Sequence, residues 1–222
     1  MKRQTATAAV LSVLALAVAA PVFAQGAYIG AKAGWTRTNT KLEVSGTKQE
    51  NLDARNSVQG GIQFGYGFSP TVAIQADVLW SGKGFKTAVP VAVPLQATPI
   101  VEWTLNYVEV PVVIVASVPA GETLDVRLMG GVSFGFESSC RVKLNAASED
   151  VGCGDPTATK SPDIGIPLGV GVAFDMGSSG RTQLFVDAGY TIGVTDVSES
   201  TDISLKNNLM AFTIGIKRSF GG

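Results

Sequence analysis

Apolar and polar residues alternate with a period of two, in segment after segment of this chain. From 57 to 68, Val58, Gly60, Ile62, Phe64, Tyr66 and Phe68 form one set; Ser57, Gln59, Gly61, Gln63, Gly65 and Gly67 form the other. Only an extended strand sends neighbouring residues to opposite faces. The pattern recurs at 28–35, 72–81, 107–114, 123–137, 164–175, 184–192 and 210–217. These eight segments are long, many of them about 10 to 14 residues, whereas ordinary strands cluster near 5 to 6. A strand that crosses a bilayer at a tilt needs about 9 to 11.

The connections alternate too. Residues 68–71, 118–122 and 176–181 are tight turns rich in Pro, Gly and Ser. Long loops are predicted over 38–56, 84–102, 138–161 and 196–206. Short turns on one rim and long loops on the other suit an outer-membrane barrel, with short turns and both termini periplasmic. The expected fold is all-β: an eight-stranded antiparallel up-and-down transmembrane barrel in the outer membrane of a Gram-negative envelope. Outer-membrane lipid is its implied partner.

The second set of each segment decides which face looks outward. It holds mostly Gly, Ala, Ser, Thr and Gln with isolated charges. That is a poor water-facing surface and a good filling for a narrow lumen. The apolar sets are therefore expected to face lipid. The competing arrangement, a soluble periplasmic ligand-binding barrel, would reverse the faces. Trp35, Phe68, Trp80, Trp103, Tyr107, Phe136 and Phe174 lie near segment ends and are expected to form interfacial girdles.

The first 24 residues read as a cleaved signal peptide, leaving a barrel domain over 25–222. Lys2 and Arg3 precede an apolar run from Ala8 to Ala20, and Val22-Phe23-Ala24 puts small residues at a cut before Gln25. Cutting there leaves 15 of the 17 basic residues against 18 acidic ones, so no basic excess invites nucleic acid. Beyond the signal no apolar run approaches the ~18 residues of a helical span.

In an exported chain the two cysteines, Cys140 and Cys153, are expected to form a disulfide. The chain has no histidine, which removes a Ser-His-Asp triad and argues against zinc. A Ser-Lys pair using Lys32, Lys83 or Lys217 has no supporting spacing. The glycines over 165–171 precede no helix and are not a phosphate loop. No catalytic residue, cofactor or metal is expected. Glu149, Asp150 and Asp155 in the cysteine loop lack the spacing of a calcium loop.

The predicted lumen set contains Lys32, Asp77, Glu109, Asp125, Arg127, Asp187 and Lys217. Charges of both signs in a narrow tube must pair or stay wet. The expectation is a bonded network centred on Arg127, whose planar fork can hold two carboxylates, and hence a mostly plugged lumen. The alternative is a passive channel for ions or small solutes. The segment from 87 to 100, with Pro90, Pro94 and Pro99 and no charge, is either a simple extracellular loop or an apolar contact surface. A structural, adhesive or loop-mediated binding role follows from the plugged reading.

Two stretches resemble a known family. Residues 74–86, Ile-Gln-Ala-Asp-Val-Leu-Trp-Ser-Gly-Lys-Gly-Phe-Lys, are similar to the third-strand motif of the outer membrane protein beta-barrel family, the small porin-like and PorT-like barrels. Residues 106–112, Asn-Tyr-Val-Glu-Val-Pro-Val, resemble its fourth-strand motif. The resemblance implies the eight-stranded fold from Gln25 to Phe220 and carries no catalytic residues. Barrels that depend on an assembly machinery commonly end on an aromatic; here Gly221 and Gly222 follow Phe220.

Overall fold

A computed structural model describes residues 26–49, 52–88, 100–144, 150–152, 162–177, 181–198 and 203–220. The predicted signal segment, most of the Pro-rich loop, and Cys153, Glu149 and Asp155 lie outside the described residues.

Eight long strands form one sheet: β1 (Gly26–Val44), β3 (Leu52–Gly67), β4 (Val72–Ala88), β5 (Ile100–Pro119), β6 (Leu124–Leu144), β8 (Asp163–Met176), β9 (Thr182–Gly193) and β10 (Ile203–Phe220). Two short ones, β2 (Thr47–Gln49) and β7 (Asp150–Gly152), pair with the ends of β1 and β6. Every long strand lies antiparallel to its neighbour in the chain, and β10 pairs with β1 to close the ring.

The register fixes the shape. Followed from partner to partner, Ala27 leads through Tyr66, Ile74, Ile114, Gly130, Leu168, Tyr190 and Met210 to Arg37. The path returns to β1 ten residues from its start. With strands about 4.8 Å apart and about 3.3 Å of rise per residue, that stagger tilts the strands about 40° and gives a barrel about 16 Å across.

The faces are arranged as the alternation requires. Val58, Ile62, Phe64, Trp80, Leu128, Leu168, Val170, Phe212 and Ile214 are exposed on the outside. Gln63, Gln75, Asp77, Ser81, Arg127 and Asp187 are buried inside. A water-soluble barrel would have the opposite arrangement.

Two expectations are corrected. The long loops are shorter than predicted, because β1, β4, β5, β6 and β10 run on past the apolar belt. There the outward face turns polar, as at Arg37, Asn39 and Lys41 of β1, so the apolar-out, polar-in contrast of the belt is lost although the alternation continues. Trp103 and Tyr107 are not girdle residues. They share the parity of Glu109 and so point inward; Tyr107 is fully buried and Trp103 stacks on Phe85 at 5.6 Å. Trp35, Phe68, Trp80, Phe136 and Phe174 are exposed on the outer surface.

Candidate functional site: the barrel lumen

The inward row of β4 is a ruler for the lumen. From the short-turn end it reads Gln75, Asp77, Leu79, Ser81, Lys83 and Phe85, every one buried. The interior changes character along this row.

At Gln75 and Asp77 lies a network around Arg127. Its Nη1 donates to both oxygens of Asp187, at 3.1 and 3.2 Å, and its Nη2 donates to Gln75 Oε1 at 3.2 Å. Gln75 passes the connection on, donating through Nε2 to Asp77 Oδ1 at 2.9 Å, and Lys32 pairs with Asp77. Tyr28 donates its hydroxyl to Gln75 Oε1 at 3.1 Å. The Arg127 guanidinium also lies over the Phe185 ring at 4.8 Å. Gly171 makes the central pair possible: a Cβ there would sit 2.0 Å from Asp187 Oδ1.

Arg127 thus holds one carboxylate and one amide rather than two carboxylates. Of the other predicted lumen charges, Lys217 lies over the Tyr28 ring at 4.8 Å and makes no ion pair among the described residues. Asp125 accepts from Gln183 Nε2 at 3.2 Å, and the same nitrogen reaches Asp175 at 2.7 Å.

A second network sits toward the long-loop end. Lys83 pairs with Glu109 and, at 3.0 Å, with Asp163, and its ammonium lies 4.7 Å from the Tyr107 ring centroid. Asn207 donates to Asp163 at 3.2 Å and accepts from Thr40 Oγ1 at 3.1 Å. Glu109 was legible in the sequence as a lumen charge; Lys83 and Asp163 were missed as such. The parity that places Asp77 inside continues through 79 and 81 to Lys83, and that of Gly165 continues back to Asp163.

Between the networks a cavity of about 90 Å³ is bounded by Leu79, Pro111 and Gly169, by the polar Gln59, Ser133 and Thr213, and by charged groups of both networks such as Asp77 and Glu109. Buried polar atoms without a protein partner include both ends of the Gln63 amide and the hydroxyls of Thr36, Thr38, Ser81 and Tyr107. Polar cavities of this size hold water. Above Lys83, Phe85, Val197 and Leu205 pack with Leu42, Leu52 and Trp103 into an apolar cluster toward the long-loop end.

On the rim, Arg55 and Lys86 both pair with Glu102, at 3.0 and 3.2 Å. Burial alone would raise the Glu102 pKa, but the hydrogen bonds from Arg55 and Lys86 outweigh it and hold it below the ordinary carboxylate value. Cys140, near the end of β6, is disulfide-bonded.

A closed antiparallel barrel with an apolar exterior and a polar, charge-paired interior is a transmembrane barrel, since closure is what lets strands satisfy every backbone group in lipid. Outer membranes are where such barrels reside. The chain belongs to the outer membrane protein beta-barrel domain family, whose model matches residues 23–199.

No curated protein matches the chain. Among solved structures it is similar to Neisserial surface protein A, at 14% identity over 89% of this chain and 99% of that one, with a TM-score of 0.46. OprG of Pseudomonas aeruginosa matches at 13% identity over 89% and 97%, with a TM-score of 0.49. The outer membrane protease OmpT of Escherichia coli matches at 11% identity over 88% and 97%, also with a TM-score of 0.49.

Proposed function

We propose that this protein is a non-enzymatic outer-membrane barrel with a plugged lumen, whose role is carried by its exterior and its extracellular loops as a structural or adhesive element. The observation that carries this reading is the stacking of three barriers along one inward row: the Arg127 network, the Lys83 network and the apolar cluster at Phe85. Selective pores present a ring of one charge sign. Here each cation except Lys217 is matched to a carboxylate, and oppositely charged groups in a confined, poorly solvated space bind each other rather than a passing ion.

The chain has no histidine. Lys83, the most buried lysine among the described residues, is held between two carboxylates. Outer-membrane lipid is the environment. Delivery by the barrel-assembly machinery, and a ligand or surface engaged through the long loops, complete the proposal.

The second reading, a passive channel, draws on the orphaned hydroxyls and the central cavity, which mark a wet segment. Sugar-driven swelling of proteoliposomes separates the two. The plugged reading predicts no swelling above protein-free vesicles for the unmodified protein, and none for Phe85→Ala combined with Trp103→Ala, because the Arg127 and Lys83 networks still close the lumen. Swelling with the unmodified protein would establish the channel.

A further inference from the structure

We propose that the outward face of β1, β2 and β10, just beyond the aromatic rim, binds the phosphate-bearing headgroup of a glycolipid of the outer leaflet, with Lys41 and Lys206 as its cationic pair. This inference rests on the outer-membrane placement and is independent of whether the lumen is closed.

The outward row of β1 climbs from Ile29 through Ala31, Ala33 and Trp35 to Arg37, Asn39 and Lys41, all exposed. Across the seam with β10 the partners are Phe212 for Trp35, Met210 for Arg37, Asn208 for Asn39, and Lys206 for Lys41. Trp35 and Phe212 stack at 5.9 Å and mark the edge of the apolar belt. Six positions separate Trp35 from Lys41, about 20 Å along the strand and about 15 Å in height at the tilt of this barrel. That is the level of headgroups and sugars. The face still looks sideways, continuous with the lipid-facing row, rather than up from the loop tips.

Two lysines directly opposite on one face of an antiparallel pair have Cβ atoms about 5 Å apart, and like charges so placed repel. Neither Lys41 nor Lys206 has a carboxylate partner among the described residues. Glu43, an acid on this face among the described residues, faces Lys48 across the β1–β2 pair. Ser45 and Gly46, both with positive φ (49° and 76°), make the tight turn that holds β2 in place. Lys41, Lys48, Lys206 and Glu43, together with the inward Thr40 and Leu42, line a cleft of about 480 Å³, room enough for a phosphorylated sugar. An anion bridging Lys41 and Lys206 would turn their repulsion into two charge-assisted hydrogen bonds.

The test is native mass spectrometry of the full barrel in detergent with bisphosphorylated lipid A, and with the same lipid after its phosphates are removed. The phosphorylated lipid should bind about tenfold more tightly, the worth of one or two charge-assisted contacts. Lys41→Ser with Lys206→Ser should abolish that difference. Lys41→Arg with Lys206→Arg should keep it, which guards against a variant that merely misfolds. Lys143→Ser, at an exposed lysine on β6, should leave it unchanged. Equal binding of both lipids by the unmodified protein would overturn the proposal. So would displacement by an equimolar amount of inorganic phosphate, which would make the site one for the free anion. Loss of binding to a sulfated polysaccharide in the double-serine variant, with lipid binding intact, would instead assign the lysines to an extracellular polymer.

Discussion

Arg127→Ala removes the centre of the network at the short-turn end. The side chain is fully buried and makes three hydrogen bonds, two to the Asp187 carboxylate and one to Gln75, besides its contact with the Phe185 ring. Truncation leaves Asp187, itself 6% exposed, with no cation in direct contact. Breaking a buried pair from one side costs about 3 to 5 kcal/mol, and the lower part of that range applies here because water can enter the vacated space. Arg127→Ala with Asp187→Ala removes both charges and should recover about half of the loss, a coupling that a double-mutant cycle reads directly. Urea titration of the barrel folded into vesicles, followed by tryptophan fluorescence, measures each variant. A loss below about 0.5 kcal/mol for Arg127→Ala, or strict additivity in the double variant, would refute the claim that this ion pair holds the lumen together.

Three further outcomes are expected. Leu128→Arg should destabilise the folded barrel by about 2 to 4 kcal/mol by placing a charge in lipid, whereas Gly131→Ala on the opposite face should act through its new Cβ, 2.0 Å from the Val112 carbonyl oxygen; equal tolerance of both in the same titration would invert the assigned faces. Because the Glu102 pKa is depressed in the folded state, its pairing with Arg55 and Lys86 stabilises above the unfolded carboxylate pKa and is lost as pH falls through the lower folded value. The stability gap between the native chain and Glu102→Gln should therefore close on acidification, and a gap that widens would contradict the sign. Labelling folded, unreduced protein with a thiol reagent should find no reactive thiol, consistent with bonded Cys140; two labels per chain would disprove a disulfide to Cys153.

The membrane-spanning part of this fold was legible because most steps there contrast apolar with polar or small residues, with inward exceptions such as Leu79, Val113 and Phe185. Val58 to Phe68 and Leu124 to Phe136 show it most plainly, and both strands put their apolar row outside. The contrast fades beyond the belt. Thr36, Thr38 and Thr40 are inward and buried while Arg37, Asn39 and Lys41 are outward and exposed, yet both sets are polar, so the strand was ended too early. That error hid Lys83 and Asp163, which lie on the correct parity but past the assumed strand ends. Composition could name the lumen charges without saying which ones meet, since pairing depends on the ten-residue stagger of the ring. The stagger brings Arg127 of β6 to Asp187 of β9 and to Gln75 of β4, partners that sequence separation alone could not select. The outer apolar cluster was missed for a similar reason. Its members Leu42, Leu52, Phe85, Trp103, Val197 and Leu205 come from separate segments, several of them read as loop.

The current carried by single molecules of the unmodified protein in a planar bilayer tests the central claim most directly. Two charge-paired layers beneath an apolar cluster predict a baseline indistinguishable from bilayer alone in molar salt. Steady, reproducible steps that scale with salt concentration would show an open lumen and contradict the account.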